Sequence, residues 1–363
     1  MKKTILSLML ISGLYQSYAC TDIQIKAQDG SIIVGRTMEF AEDLGDSFIV
    51  YNKGEKHTSQ SKFKNNALSW TTKYAYAGIA PYNYKEVVYD GTNSEGLAVE
   101  TLLFPEHAKF EDITAKSKNV ITPTDFVSWA LGNFSNVEQV REAVKTLSIW
   151  GQPNPLAADG NTPAHWVVHD KTGNSIVIEY EAGKLNIYDN KIGVMTNSPN
   201  YKWHMANLSN YVHLSPNNST PLTINGVTVS ATGQGSGSIG LPGDFTPPSR
   251  FIKMAFLLSA AYPTKDADSA VLLASHTLND VDIPIGVIRE KGTDGKVLTD
   301  YTMWSVIKDL NHQKIYLKTY NNLGYVAIDL KPFLEKGSYG PVRLSELFKL
   351  TTPDLTTQML KAK

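Results

Sequence analysis

The chain repeatedly alternates β-branched, apolar runs with turns too short to hold a crossover, and that pattern restricts the fold more than any other feature. Residues 21–27 alternate, with Ile23 and Ile25 on one face; Asp29-Gly30 supplies a tight turn, and residues 31–38 are β-branched again. This reads as a hairpin. A second reads as residues 86–90, a turn over Asn93-Ser94-Glu95-Gly96, and residues 97–104. Strands follow at 165–169, 175–180, 184–188 and 193–196, linked by stretches such as Asp170-Lys171-Thr172-Gly173-Asn174 and Glu181-Ala182-Gly183. Parallel pairing needs a dozen or so connecting residues, so these strands are expected to form an antiparallel meander. Three more are expected at 299–308, 314–320 and 324–330.

Helical patterns lie between them. Residues 122–147 open on Thr-Pro-Thr-Asp and are interrupted near Gly132-Asn133. After Pro247-Pro248-Ser249, the residues Phe251, Met254, Ala255 and Leu258 fall at helical spacing and mark one buried stripe. Further helices are expected over 267–278 and 344–350, and the Gly/Ser-rich residues 231–243 resemble a hinge. Meanders interleaved with helix pairs predict an α+β fold of two antiparallel sheets face to face with helices outside. One domain over residues 20–363 is expected.

The N-terminal residues have a processing signature. Lys2 and Lys3 precede an apolar run over 5–14, and Ser17-Tyr18-Ala19 is a small-x-small site. The run is shorter than the about 20 residues that span a bilayer. Residues 1–19 are therefore expected to be a cleaved export signal, giving a periplasmic or secreted protein whose mature chain begins at Cys20. Cys20 is the single cysteine of the 363 residues, which excludes an internal disulfide and a cysteine-rich zinc site. A net charge of −1 gives no electrostatic reason to expect nucleic acid or an anionic membrane as partner.

A cysteine that opens a mature chain has its own base. An ordinary thiol, with a pKa near 8.5, is mostly protonated at neutral pH, whereas an α-amine titrates near 7.7–8.0 and can take and return that proton. One cleavage would create nucleophile and base together. Two other readings of Cys20 stand beside this one: a leftover thiol near a terminus, and the lipidated cysteine of a lipid-anchored binding protein. Ser17 stands where lipoprotein signals usually carry leucine, and the residues after Cys20 enter a strand with no tether.

"CTDIQIKAQDGSIIVGRTMEF" resembles the opening of the choloylglycine hydrolase and penicillin V acylase family of N-terminal nucleophile hydrolases. "YDGTNSEGLAVETLLFP", "GVMTNSP" and "GLPGDFTPPSRF" continue the resemblance in order. It implies a four-layer αββα sandwich and gives roles to particular residues. Cys20 matches the nucleophile, and Arg36 matches an arginine beside the thiol. Glu39 stands where the family commonly has aspartate, with the implied task of orienting the amine. Asn197 matches a side-chain oxyanion donor, and the backbone at Leu103 matches the second. Arg250 matches an arginine completing the charge network. Many bile-salt relatives carry asparagine, and penicillin acylases tyrosine, at the position of Leu103.

The resemblance implies hydrolysis of linear, non-peptide amides through a thioester, with no cofactor and no metal. The implied substrates are small molecules with an apolar acyl group: conjugated bile salts, penicillin V-type amides or N-acyl homoserine lactones. Leu103 and the export signal tilt the expectation toward the latter two, with bile-salt hydrolysis as the alternative. Relatives are commonly homotetramers. Aromatic-rich stretches after Phe40, over 70–84 and over 203–219 could line an acyl pocket or serve as loop anchors. The G-x-G-x-x-G at 235–240 precedes Leu-Pro-Gly instead of a helix and is rejected as a dinucleotide site. His165 and His169 share a strand face but suggest no third ligand, and are read as structural.

Overall fold

The computed structural model describes residues 19–41, 43–152, 162–291, 295–348 and 354–361. Except for Ala19, the expected export signal lies outside the described residues.

The first hairpin forms as its turn chemistry requires. β1 (Ala19–Lys26) and β2 (Ile32–Phe40) pair in register from Ala19↔Glu39 to Lys26↔Ile32. Gly30 closes the turn at φ +92°, a conformation in which a Cβ would be strained, with its N–H donating to the Ala27 carbonyl. β2 pairs on its other edge with Val297–Asp309, which continues to Lys314–Thr319 and Val326–Asp329. Val194–Met195 pairs with the free edge of β1. The expected fourth meander strand is thus in a different sheet from the other three. The Gly193 N–H bonds to the Asn190 carbonyl, and at φ +67° Gly193 turns the chain across.

The second sheet runs Lys184–Asp189, Ser175–Glu181, Ala164–Asp170, Leu97–Leu103, Asp90–Asn93, Tyr76–Pro81, Asp46–Tyr51 and Tyr339–Arg343, all antiparallel. The strand expected over 86–90 begins instead at Asp90. The chain before it is bent by the bond from the Val87 N–H to Tyr84 and meets the sheet only at Tyr89, whose N–H reaches Ile79.

Helices cover the outer faces. α1 (Phe126–Asn133) and α2 (Val137–Val144) replace the single interrupted helix, with the Asn136 side chain capping α2 by accepting from the Gln139 N–H. They pack on the second sheet around Phe126, Leu131, Val140 and Trp166. After α3 (Tyr201–Leu208), α4 (Pro247–Ala260) and α5 (Ala267–Asn279) pack on the first sheet. Both sheets are therefore buried on both faces. Along Asp46–Tyr51, Phe48 and Val50 point between the sheets while Ile49 and Tyr51 join the α1 cluster. The result is the αββα sandwich.

Residues 231–243 do not behave as an open hinge. The Gly237 carbonyl accepts from the Ser215 N–H, the Asn218 side chain accepts from the Gly235 N–H at 2.8 Å, and Ser236 is buried. Among the described residues no helix is long and apolar enough to cross a membrane.

Candidate active site

The two-residue period of β1 and β2 sorts their side chains into two layers. Cys20, Asp22, Gln24, Arg36 and Met38 face the second sheet, while Thr21, Ile23 and Glu39 face the helices. The contacts confirm the sorting: His169 of the second sheet meets Asp22 and Gln24, whereas Arg250 of α4 meets Thr21. Register then brings in Asn197. Asp22 pairs with Met195 and Ile23 with Val194, so extending the antiparallel count sets Asn197 opposite Cys20.

The six residues named from sequence converge, and all but Leu103 are almost fully buried. Arg36 Nη2 lies 3.5 Å from Cys20 Sγ and donates at 2.7 Å to the Thr101 carbonyl, while Nη1 donates at 3.0 Å to Tyr89. The Cys20 N–H donates to Asn197 Oδ1 at 2.6 Å. Arg250 donates through Nη1 to the Cys20 carbonyl and, at 2.7 Å, to Thr21 Oγ1, and through Nη2 to Asn197 Oδ1 at 2.8 Å.

Two contacts differ from expectation. Asn197 turns its oxygen toward Cys20, and its Nδ2 donates to the Leu103 carbonyl at 2.8 Å. One of its two amide hydrogens is thereby spent within the protein, leaving one for an oxyanion. Glu39 faces Ala19 in register but accepts at Oε1 from Thr302 Oγ1, 2.8 Å away, and Oε2 has no hydrogen-bond partner. The Cys20 N–H goes to Asn197 instead. Burial raises the Glu39 carboxyl to about 7, against the lowering influence of Arg250.

Leu103 contributes backbone. The Thr101 N–H bonds to Tyr89 and the Phe104 N–H to Pro163, on opposite edges of the strand. Alternation turns the Leu103 N–H to the Tyr89 edge, beyond Glu100, where pairing with Asp90–Asn93 ends.

Sequence reading missed the residues behind this set. His204 of α3 stacks on Phe251 at 4.7 Å, and its Nε2 lies 2.9 Å from the Asn197 carbonyl. Burial lowers His204 to about 4, so it is neutral and carries its proton on the nitrogen facing that acceptor. Between the sheets lies a charge cluster. Asp90 is 3.6 Å from Arg36 Nη1 and accepts with both oxygens from Lys308, at 2.8 and 2.7 Å; Lys308 also reaches Glu100. Burial pushes Asp22 up to about 7 and Glu100 up to about 8. The legible signal was a charged residue at an inward strand position, as at Asp22, Glu100 and Lys308.

His165 and His169 have separate partners, Glu179 at 3.2 Å and Asp22 at 3.1 Å. Asp22, Glu100 and His169 bring ligand-type atoms within 4.8 Å of one another. The Lys308 ammonium already supplies positive charge there. Of the aromatic stretches, Trp70 stacks on His57 and Tyr76 joins the α1 cluster, so both serve as anchors. Tyr211 lines a groove of about 660 Å³ between β1 near Lys26 and α4, at the opposite end of β1 from Cys20.

A cysteine at the head of an inner strand in an αββα sandwich defines an N-terminal nucleophile hydrolase architecture. Residues 20–333 match the model of the linear amide C–N hydrolases, choloylglycine hydrolase family, and the chain belongs to that family. A bile salt hydrolase/transferase of Clostridium perfringens is 36% identical over 86% of this chain and 92% of its own length. A conjugated bile acid hydrolase of Lactobacillus acidophilus is 31% identical over 83% and 95%. A penicillin V acylase of Pectobacterium atrosepticum is 25% identical over 73% and 67%. A crystal structure of a mutant conjugated bile acid hydrolase from C. perfringens superposes with a TM-score of 0.79 at 32% identity, covering 93% of this chain and 100% of that one. The protein is an enzyme that hydrolyses amide C–N bonds.

Proposed function

We propose that this enzyme is an exported conjugated bile salt hydrolase that uses Cys20 as its nucleophile. The observation that carries the mechanism is the threefold hold on Cys20: backbone nitrogen on Asn197, carbonyl on Arg250, sulfur beside Arg36. The substrate class rests on the greater similarity to bile acid hydrolases than to the penicillin V acylase. This reverses the preference drawn from Leu103 and the export signal.

With residues 1–19 removed, the Cys20 nitrogen becomes an α-amine beside Asn197 Oδ1. The thiol gives that amine its proton as the sulfur bonds to the substrate carbonyl carbon. The second Nδ2 hydrogen of Asn197 and the Leu103 N–H supply the oxyanion with donors. Collapse breaks the C–N bond, the amine proton leaves with glycine or taurine, and a thioester remains. Water, losing its proton to the freed α-amine, then bonds to the thioester carbon; the C–S bond breaks, the bile acid leaves, and the amine returns the proton to the sulfur.

A penicillin V-type or N-acyl homoserine lactone acylase is the second reading, favoured by Leu103 where many bile-salt relatives carry asparagine. Self-association belongs to the same proposal, supported by the outward Leu222, Ile224, Val227 and Val229 of one hairpin. The test is hydrolysis of glyco- and tauro-conjugates, penicillin V and acyl homoserine lactones by the purified enzyme and by Cys20→Ser, with the mass of the mature N terminus. Fastest turnover of bile conjugates, its loss in Cys20→Ser, and an unblocked Cys20 amine are expected. Wild-type turnover by Cys20→Ser, or a lipidated Cys20, would defeat the mechanism; faster cleavage of penicillin V or the lactones would move the substrate to the second reading.

A further inference from the structure

Beyond the Tyr89 and Thr101 carbonyls to which it donates, the Arg36 guanidinium faces two groups that can carry negative charge. Nη2 faces Cys20 Sγ at 3.5 Å, and Nη1 faces Asp90 Oδ2 at 3.6 Å, too long for a good charged hydrogen bond. A buried arginine and aspartate this close would ordinarily close into a two-bond pair. Here both Asp90 oxygens accept from the Lys308 ammonium, which draws the carboxylate to its own side. Lys308 comes from the strand beside β2, Asp90 from the facing sheet, and all three residues are buried.

We propose that Lys308 is a positioning residue for the nucleophile: by holding the Asp90 carboxylate it stops that carboxylate drawing Arg36 away, and so keeps Nη2 on the Cys20 sulfur. The inference rests on the reading of Cys20 as nucleophile. The other charged and titratable groups around the pair are Asp22 from β1, Glu39 from β2, Glu100 and His169 from the second sheet, the Tyr89 phenol, and Asp46, which accepts from Tyr89 and from the indole of Trp304 beneath Arg36. Glu100 also holds Lys308. Burial keeps a proton available to Asp22 and Glu100 at neutral pH, so the cations Arg36 and Lys308 are not outnumbered by fixed carboxylates.

Without Lys308, the unpaired Asp90 carboxylate competes with the Tyr89 and Thr101 carbonyls and the Cys20 sulfur for the two Arg36 nitrogens. A guanidinium 3.5 Å from a sulfur favours its charged, reactive form, so withdrawing it slows attack by the sulfur. The test uses iodoacetamide labelling of the full chain, unambiguous because Cys20 is the only thiol. Lys308→Met should slow labelling at neutral pH about tenfold, with the rate recovered at alkaline pH, as restricted access would not allow. Lys308→Arg, which keeps a cation on Asp90, should restore most of the neutral-pH rate. Because Lys308→Met strands two carboxyls, the double variant Lys308→Met/Glu100→Gln repeats the measurement with one fewer buried acid.

Labelling profiles that superimpose on wild type, alongside lowered stability, would overturn the proposal and leave Lys308 a structural cation. Failure of both methionine variants to fold counts the same way. Labelling needs no substrate, so this outcome is independent of whether Cys20→Ser still turns over amides.

Discussion

Replacing Glu39 by glutamine should make the enzyme's stability less dependent on pH, and the size of the effect follows from the burial of one carboxyl. Glu39 has no exposed surface, gives Oε1 to Thr302 at 2.8 Å and leaves Oε2 without a partner. Burial lifts its pKa from an ordinary 4.5 to about 7. Below 4.5 folded and unfolded chains both hold the proton. As pH rises toward about 7, the unfolded chain releases it while the folded chain retains it, so the stabilisation present at low pH is lost. At about 1.36 kcal/mol per unit, the wild type loses about 3 kcal/mol across that window from this group. Glutamine keeps an oxygen for Thr302 and does not titrate. It buries an amide NH2 at the site of the unpartnered Oε2, at a pH-independent cost of about 1–3 kcal/mol. Urea unfolding at several pH values should therefore find Glu39→Gln the weaker protein near pH 5 and find the gap closed or reversed by about pH 8. A gap that stays constant with pH would refute the assignment of a buried, proton-retaining carboxyl.

Asn197→Ala removes the acceptor shared by the Cys20 N–H and Arg250 together with the proposed oxyanion donor; kcat for amide hydrolysis should fall about 10²–10³-fold with KM little changed, measured by steady-state kinetics. Asp266→Ala removes the capping box at the start of α5 and should cost about 1 kcal/mol in urea unfolding, with hydrolysis kept at the wild-type rate because the cap is remote from Cys20.

Sequence alone determined the local units. The β1–β2 hairpin was legible because Asp29-Gly30 and the alternation around it lie within a few residues, and the Leu97–Leu103 strand because Gly96 closes its turn. Cys20, Arg36, Glu39, Asn197, Leu103 and Arg250 could be named together from the sequence, since motif resemblance needs no knowledge of distance, and the fold brings them to one place. The tertiary structure decided what required long-range pairing. Val194–Met195 reads like the meander before it, yet it lies in the other sheet, and only that exchange sets Asn197 opposite Cys20. The direction of the Asn197 amide depends on Arg250 and Leu103, which approach from separate layers. Lys308, Asp90 and Arg36 come from three strands in two sheets. Each was visible only as a charge in an apolar run, because side-chain period shows which face a residue takes and carries no information about the charge that face will meet.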